Sequence, residues 1–137
     1  MSEYYRKGHR AEMELVYKLW KRGFFSMRSP ASGRKASKIF YPDVIAIKNC
    51  KVLIFEVKLR KHKDTIHIHE YKVRMLRLLE ERTGGKAYIA VKVSEEKKWY
   101  FFPLELLEPQ IHGDSKRYVI TVKMYDNAYS LSDILWK

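Results

Sequence analysis

Apolar positions recur with helical spacing in two parts of the chain. Over Glu3–Arg22 they fall three and four residues apart, which places them on one face of a helix that Gly23 ends. A second helix is predicted over about Ile68–Arg82, with Gly84 and Gly85 as its stop. The predicted inward stripe of the first helix is Ala11, Leu15, Val16, Leu19 and Trp20. The predicted stripe of the second helix contains Tyr71, Met75, Leu78 and Leu79.

Short runs rich in β-branched and aromatic residues predict strands. Asn49 and Cys50 separate two of these runs and predict a hairpin turn, although Cys does not favour a positive φ. The Trp99–Phe102 run could stack nucleic-acid bases, but aromatic residues in a strand more often belong to a core, which we favour. One helical turn is predicted at Leu104–Leu107 and a short helix at Leu131–Trp136. The predicted strands are Phe24–Arg28, Asp43–Lys48, Lys51–Lys58, Ala87–Val93, Lys98–Phe102 and Tyr118–Lys123.

This order of elements predicts an α/β fold with a central mixed β-sheet flanked by helices. A chain of 137 residues without a linker or a repeat is expected to form a single domain over residues 1–137. A single Cys excludes an internal disulfide and fits a reducing compartment. No apolar run approaches the roughly 20 residues that span a bilayer. We therefore expect a cytoplasmic protein that does not associate with a membrane.

The hairpin register brings two carboxylates together. If Asn49 and Cys50 form a two-residue turn, Asp43 faces Glu56, and facing side chains have Cβ atoms about 5 Å apart. Glu56 also lies in an otherwise apolar strand, where a charge costs free energy unless it is paired or bound to a metal. Mg²⁺, which prefers oxygen ligands, would relieve the repulsion between the two acids. Lys58 shares the face of Glu56, because side chains alternate along a strand.

A third acid, Glu12, points along the inward stripe of the first helix. Each acid also has a structural explanation: Asp43 could end a loop, Glu56 could pair with a lysine, and Glu12 could lie at the helix edge. Taken together with Lys58, they favour a metal site. A metal there could polarise a phosphoryl oxygen and lower the pKa of bound water, while Lys58 orients the attacking water.

The charge balance indicates a polyanionic partner. Twenty-eight Lys and Arg against 16 Asp and Glu give a net charge of +12. The excess is concentrated near the N-terminus, since residues 1–40 carry ten basic and three acidic groups. Acidic residues gathered beside a basic surface make metal-assisted phosphodiester hydrolysis the natural chemistry.

The chain resembles the archaeal Holliday junction resolvases, the Hjc and Hje enzymes of the PD-(D/E)xK nuclease superfamily. The superfamily motif alone is short, and the resemblance is strong over residues 6–58. It is carried by Arg6-Lys7-Gly8-His9-Arg10-Ala11-Glu12, Gly23-Phe24, Arg28-Ser29-Pro30-Ala31-Ser32-Gly33, Pro42-Asp43-Val44-Ile45-Ala46 and Glu56-Val57-Lys58.

The resemblance implies a restriction-endonuclease-like core and a site for divalent metal. Asp43 and Glu56 would bind the metal with the Val57 carbonyl as an extra ligand, Glu12 would complete the acidic cluster, and Lys58 would assist the water. Ser32 would contribute to catalysis. The metal would be Mg²⁺, with Mn²⁺ as a substitute, and no small-molecule organic cofactor is expected. The expected DNA-binding residues are Arg6, Lys7, Arg10, Arg28, Arg34, Lys35, Lys38, Arg60, Lys61 and Lys72.

The resemblance further implies a symmetric homodimer that binds a four-way DNA junction and nicks two opposing strands. Two positions depart from the family pattern. Met13 stands where many relatives have Arg, and Lys72 stands where relatives often have Gln; Lys72 could reach the active site or bind the DNA backbone. The alternatives are another PD-(D/E)xK repair or restriction nuclease that cuts ordinary duplex, and a non-catalytic DNA-binding module with the same fold.

Overall fold

Two sheets and three α-helices make up the part of the chain that the computed structural model describes, residues 3–30 and 39–136. A short 3₁₀ helix, Leu104–Leu106, follows the last strand of the larger sheet. A second one, Val122–Asn127, follows the last strand of the smaller sheet. The helices are α1 (Glu3–Lys21), α2 (Glu70–Thr83) and α3 (Leu131–Trp136). The strands are β1 (Phe25–Arg28), β2 (Val44–Lys48), β3 (Lys51–Arg60), β4 (Ile66–His69), β5 (Lys86–Val93), β6 (Lys98–Pro103), β7 (Glu108–His112) and β8 (Ser115–Ile120).

The larger sheet is the predicted central mixed sheet. Its strand order is β1-β2-β3-β5-β6, in which β3 and β5 are parallel and the other neighbours are antiparallel. Parallel neighbours need a crossover connection, and here β4 and α2 supply it. Helix α1 packs on one face of β3 and helix α2 on the other. The central strand is therefore covered on both sides, which confirms the α/β fold.

The β2–β3 hairpin has the predicted register. Lys48 pairs with Lys51 and Val44 pairs with Phe55. Asn49 and Cys50 have φ values of 48° and 67°, so Cys50 adopts the positive φ that its side chain disfavours. Two successive positive φ values are the geometry of a tight hairpin turn whose twist matches its strands.

The smaller sheet, with the order β4-β8-β7, was only partly predicted. The predicted helical start at Ile68 is wrong, because Ile66 and Ile68 are buried in β4 while His67 and His69 are exposed. That alternation is the period of a strand. The His69 ring then caps α2 by accepting a hydrogen bond from the Tyr71 N–H. Strand β7 was not predicted, and β8 begins and ends three residues earlier than expected.

The predicted stripe of α2 is only partly correct: of its members, Leu79 packs against the core. Val73 and Leu76 are buried, whereas Tyr71 is 44% exposed. The inward side of α2 also carries polar side chains, since Lys72 pairs with Glu56 of β3 and Glu80 accepts a hydrogen bond from the Ala87 N–H. These polar positions interrupt the apolar period. Met75, Leu78 and Leu79 are only partly buried.

The other apolar predictions are confirmed with one exception. Ala11, Leu15, Val16 and Leu19 of α1 are buried, but Trp20 is 61% exposed. The Trp99–Phe102 run of β6 is buried, so these aromatic side chains belong to the core. Within the described residues, the helices are too short or too polar to span a bilayer.

Replacing Gly85 by Ala is expected to destabilise the fold. An added Cβ would lie 2.5 Å from the Val52 carbonyl oxygen and 2.8 Å from the Val52 Cβ. We expect a loss of about 1–3 kcal/mol in the free energy of unfolding, measured by urea denaturation. Gly84→Asn is the matched control, because a Cβ at Gly84 meets no atom within 4 Å and Asn tolerates its positive φ of 71°. Equal stability of the two variants would contradict the close approach of Gly85 to β3.

Candidate active site

A carboxylate lies buried in the middle of the central strand. Glu56 of β3 has a side chain that is 3% exposed, and it shares its face with Ile54, which belongs to the core under α2. Phe55 and Val57 point to the opposite face and pack toward α1. Burial raises the pKa of the Glu56 carboxyl, and repulsion from Asp43 raises it further. This position therefore disfavours the charged form unless a cation is present.

Asp43 lies beside Glu56, as the hairpin register predicts. Its carboxylate Oδ2 accepts a hydrogen bond of 2.8 Å from the Val57 N–H. Its own N–H donates to the Phe55 carbonyl at 3.1 Å, and its carbonyl accepts from the Ser29 N–H at 2.9 Å. These bonds fix Asp43 between β3 and the end of β1, with its charge next to the buried Glu56.

Two lysines approach the same oxygen of Glu56. Lys58 Nζ, on the same face of β3, lies 3.9 Å from Glu56 Oε2, and Lys72 Nζ of α2 forms the closer ion pair with that atom. Burial lowers the pKa of Lys58 against the attraction of Glu56, and the Lys72 ammonium adds to the lowering. Burial also disfavours the charge of Lys72, but the attraction of Glu56 outweighs it and raises the Lys72 pKa.

Glu12 lies at the edge of this group. Its Oε1 accepts a charge-assisted hydrogen bond of 2.7 Å from Arg28 Nε, and both side chains are largely buried. Arg28 ends β1 and precedes Ser29, which binds the Asp43 backbone. The Glu12 carboxylate contributes to raising the Lys72 pKa. Helix α1 and strand β1 therefore join the electrostatic surroundings of the two central acids.

The donor atoms suit a divalent metal that prefers oxygen. Asp43 and Glu56 supply two carboxylates, and the repulsion that raises the Glu56 pKa is what a bound cation would relieve. Over residues 3–30 and 39–136, no three His, Cys, Asp or Glu side chains form a group able to hold a metal. The Val57 carbonyl would supply a further oxygen, and the assignment of Glu12 as a ligand stays a prediction.

The remaining predicted residues fall into two groups. Arg6, Lys7 and Arg10 are exposed on α1, Lys61 is exposed after β3, and Arg60 donates to the Leu59 carbonyl at 2.8 Å. Their contacts with DNA stay predictions. The positions outside the described residues are Ser32, Arg34, Lys35 and Lys38.

Sequence reasoning missed two contacts that shape the site. The first is the Glu12–Arg28 pair, which joins elements whose contact no local period reveals. The second is the Val57 N–H that holds Asp43. For Lys72 the sequence left open whether its side chain reaches the candidate site or binds the DNA backbone, and the structure pairs its ammonium with Glu56.

Comparisons with known proteins agree on one family. The family model described as archaeal Holliday junction resolvase (Hjc) matches residues 3–137. The crossover junction endodeoxyribonuclease Hjc of Archaeoglobus fulgidus is 32% identical over 131 residues, which are 96% of this chain and 90% of that protein. The protein of the same name from Sulfurisphaera tokodaii is 30% identical over 129 residues, which are 94% of this chain and 85% of that protein.

The solved structures give the same result. A 1.6 Å structure of Archaeoglobus fulgidus Hjc, described as a Holliday junction resolvase from an archaeal hyperthermophile, matches with a TM-score of 0.78. The two chains are 28% identical, and the match covers 96% of this chain and 97% of the other. The chain belongs to the archaeal Holliday junction resolvase (Hjc) family.

Proposed function

We propose that this chain is an endodeoxyribonuclease that resolves four-way DNA junctions, working as a single nuclease domain. The observation that carries the proposal is the buried Glu56 beside Asp43, with Lys58 on the same face of β3. Relatives that match most of the chain are named crossover junction endodeoxyribonucleases. Membership of this nuclease family implies use of a divalent metal.

The proposed ion is Mg²⁺, with Mn²⁺ as a substitute. Asp43 and Glu56 would hold it with the Val57 carbonyl, while the Val57 N–H keeps the Asp43 carboxylate in place. When bound, the ion supplies a Lewis acid for the scissile phosphate and acidifies its bound water. Lys58 lies close enough to this position to orient the attacking water, and its lowered pKa increases the fraction of its amine that is neutral and able to accept a proton.

The proposed substrate is held by its phosphates. The net charge of +12 attracts a polyanion, and phosphate contacts convey geometry rather than base sequence. Arg28, at the edge of the site, would engage a phosphate next to the cleaved bond. Glu12 would hold the Arg28 guanidinium in position through their 2.7 Å hydrogen bond.

Two symmetric nicks require two sites, so we propose that the functional unit is a homodimer. A two-fold dimer can present equivalent sites to the symmetry-related strands of a junction. With DNA as substrate, the enzyme would act in the cytoplasm.

The metal site is tested by Asp43→Asn and Glu56→Gln. Both variants are expected to lose Mg²⁺ binding and junction cleavage, because each removes a carboxylate ligand. Lys58→Met is expected to keep metal binding and to lose about 10²–10⁴-fold in cleavage rate, the usual contribution of a group that transfers a proton. The measurement follows a labelled four-way junction and the matching linear duplex, each with Mg²⁺ and with EDTA.

Glu108→Gln, on the exposed end of β7, is the matched control for charge removal. Wild-type rates in Asp43→Asn and Glu56→Gln would refute the site. Equal cutting of linear duplex would favour a general repair or restriction nuclease, and binding without nicking would favour a non-catalytic module.

Unfolding temperature shows whether the variants are folded. The folded-state pKa of Glu56 is raised, so its ionised form costs stability at pH values above that pKa. Glu56→Gln removes this charge, and in EDTA at neutral pH it is expected to unfold at or above the wild-type temperature. A large drop would indicate that its loss of cleavage comes from misfolding.

The dimer is tested by light scattering at micromolar concentration. The expected mass is about twice the 16.5 kDa of one chain. On a junction held in a small circle, the two nicks are expected to appear within one binding event, because both sites are engaged together. A monomeric mass with unpaired nicks would contradict the symmetric mechanism.

A further inference from the structure

Among residues 3–30 and 39–136, the cation closest to the Glu56 carboxylate is the lysine of α2. Lys72 Nζ pairs with Glu56 Oε2, while Lys58 Nζ stands 3.9 Å from the same oxygen. Lys72 lies in the first turn of α2, which the His69 cap fixes at its start, and α2 packs against β3. The packing of α2 on β3 therefore places the Lys72 ammonium against Glu56 Oε2, the oxygen that Lys58 also approaches.

The two members of this pair differ in their access to water. The Glu56 side chain is 3% exposed and sits in a strand that is covered on both faces, whereas the Lys72 side chain is 41% exposed. Lysine has a flexible four-carbon stem that can carry its charge to solvent. Lys72 can therefore leave the pair by rotating its side chain, but Glu56 cannot leave its position without moving β3.

The ionised form of Glu56 is stable only when a nearby cation compensates its charge. Burial and the neighbouring Asp43 both disfavour its charge, and the attractions that oppose them come from Lys72 first and Lys58 second. A divalent metal bound to Asp43 and Glu56 would supply the same compensation with a larger charge. The Lys72 ammonium and the metal therefore compete for the same carboxylate.

We propose that Lys72 is the resident counter-ion of Glu56, which it neutralises until a divalent cation displaces it. The proposal rests on the metal site of the proposed function and concerns how that site is kept ready when it holds no metal. Lys72 stabilises the metal-free protein and lowers the affinity for metal, since repulsion between two cations opposes loading. It acts as a positioning residue through Glu56.

The test compares Lys72→Gln, Lys72→Arg and Arg74→Gln in the full chain. Arg74 is the matched control, because it lies on the same helix two residues away and its guanidinium stacks over the Tyr71 ring. Each protein is titrated with Mn²⁺ alone by calorimetry, and its unfolding temperature is measured in EDTA and with Mn²⁺. A ligand that binds only the folded state raises this temperature, and the increase grows with the logarithm of the ligand concentration divided by Kd.

Lys72→Gln is expected to unfold at a lower temperature in EDTA, to bind Mn²⁺ on the order of tenfold more tightly, and to gain more stability from Mn²⁺ than wild type. Lys72→Arg restores a cation and is expected to behave as wild type in both measurements. Arg74→Gln is expected to leave both unchanged. Mn²⁺ affinity in Lys72→Gln that is equal to or weaker than wild type would overturn the proposal, as would equal tightening in Arg74→Gln.

Two further measurements separate this proposal from the proposed function. Glu56→Gln should abolish Mn²⁺ binding, and binding that survives this change would place the metal elsewhere and overturn both proposals. Wild-type junction cleavage is assayed in parallel. Normal cleavage together with unchanged Mn²⁺ affinity in Lys72→Gln would overturn the role of Lys72 alone.

Discussion

A carboxylate buried in the centre of a sheet is the constraint on which the rest of this structure depends. Glu56 lies on β3, which has strand neighbours on both edges and helices on both faces, so only 3% of its side chain is exposed to solvent. Such a charge is costly without compensation. Two surrounding elements bring a cation that compensates this charge, Lys58 from the same strand and Lys72 from α2, whereas Asp43, just before β2, adds a repulsion that only a cation can relieve.

The connections of the fold explain why these groups converge. The tight hairpin sets the register that brings Asp43 to Glu56. The parallel pairing of β3 with β5 requires a crossover, and α2 within that crossover lies over the face of β3 that carries Glu56 and Lys58. At the edge, β1 ends at Arg28, whose pairing with Glu12 ties α1 to the same region. The same connections that define the fold therefore also position the residues of the site.

Burying Glu56 costs folding free energy, but it places a carboxylate where a divalent metal could bind. A neutral residue at Glu56 would remove the burial cost that raises its pKa, but it would also remove the carboxylate that suits a hard divalent ion. The basic residues of the chain fall into two groups by position. Basic residues such as Lys61 and Arg10 are exposed to solvent, while Lys58 and Lys72 point toward the acids.

The sequence by itself determined what depends on local geometry. A two-residue turn fixes which residues face each other, so the Asp43–Glu56 pair and the shared face of Lys58 could be predicted, and the period of α1 gave most of its buried side. The tertiary structure decided what depends on distant packing. The strand β4 was hidden in the predicted start of a helix, and the inward face of α2 was obscured because Lys72 and Glu80 make polar contacts across the crossover. Whether Lys72 meets Glu56 depends on how α2 packs against β3, and no local spacing contains that information.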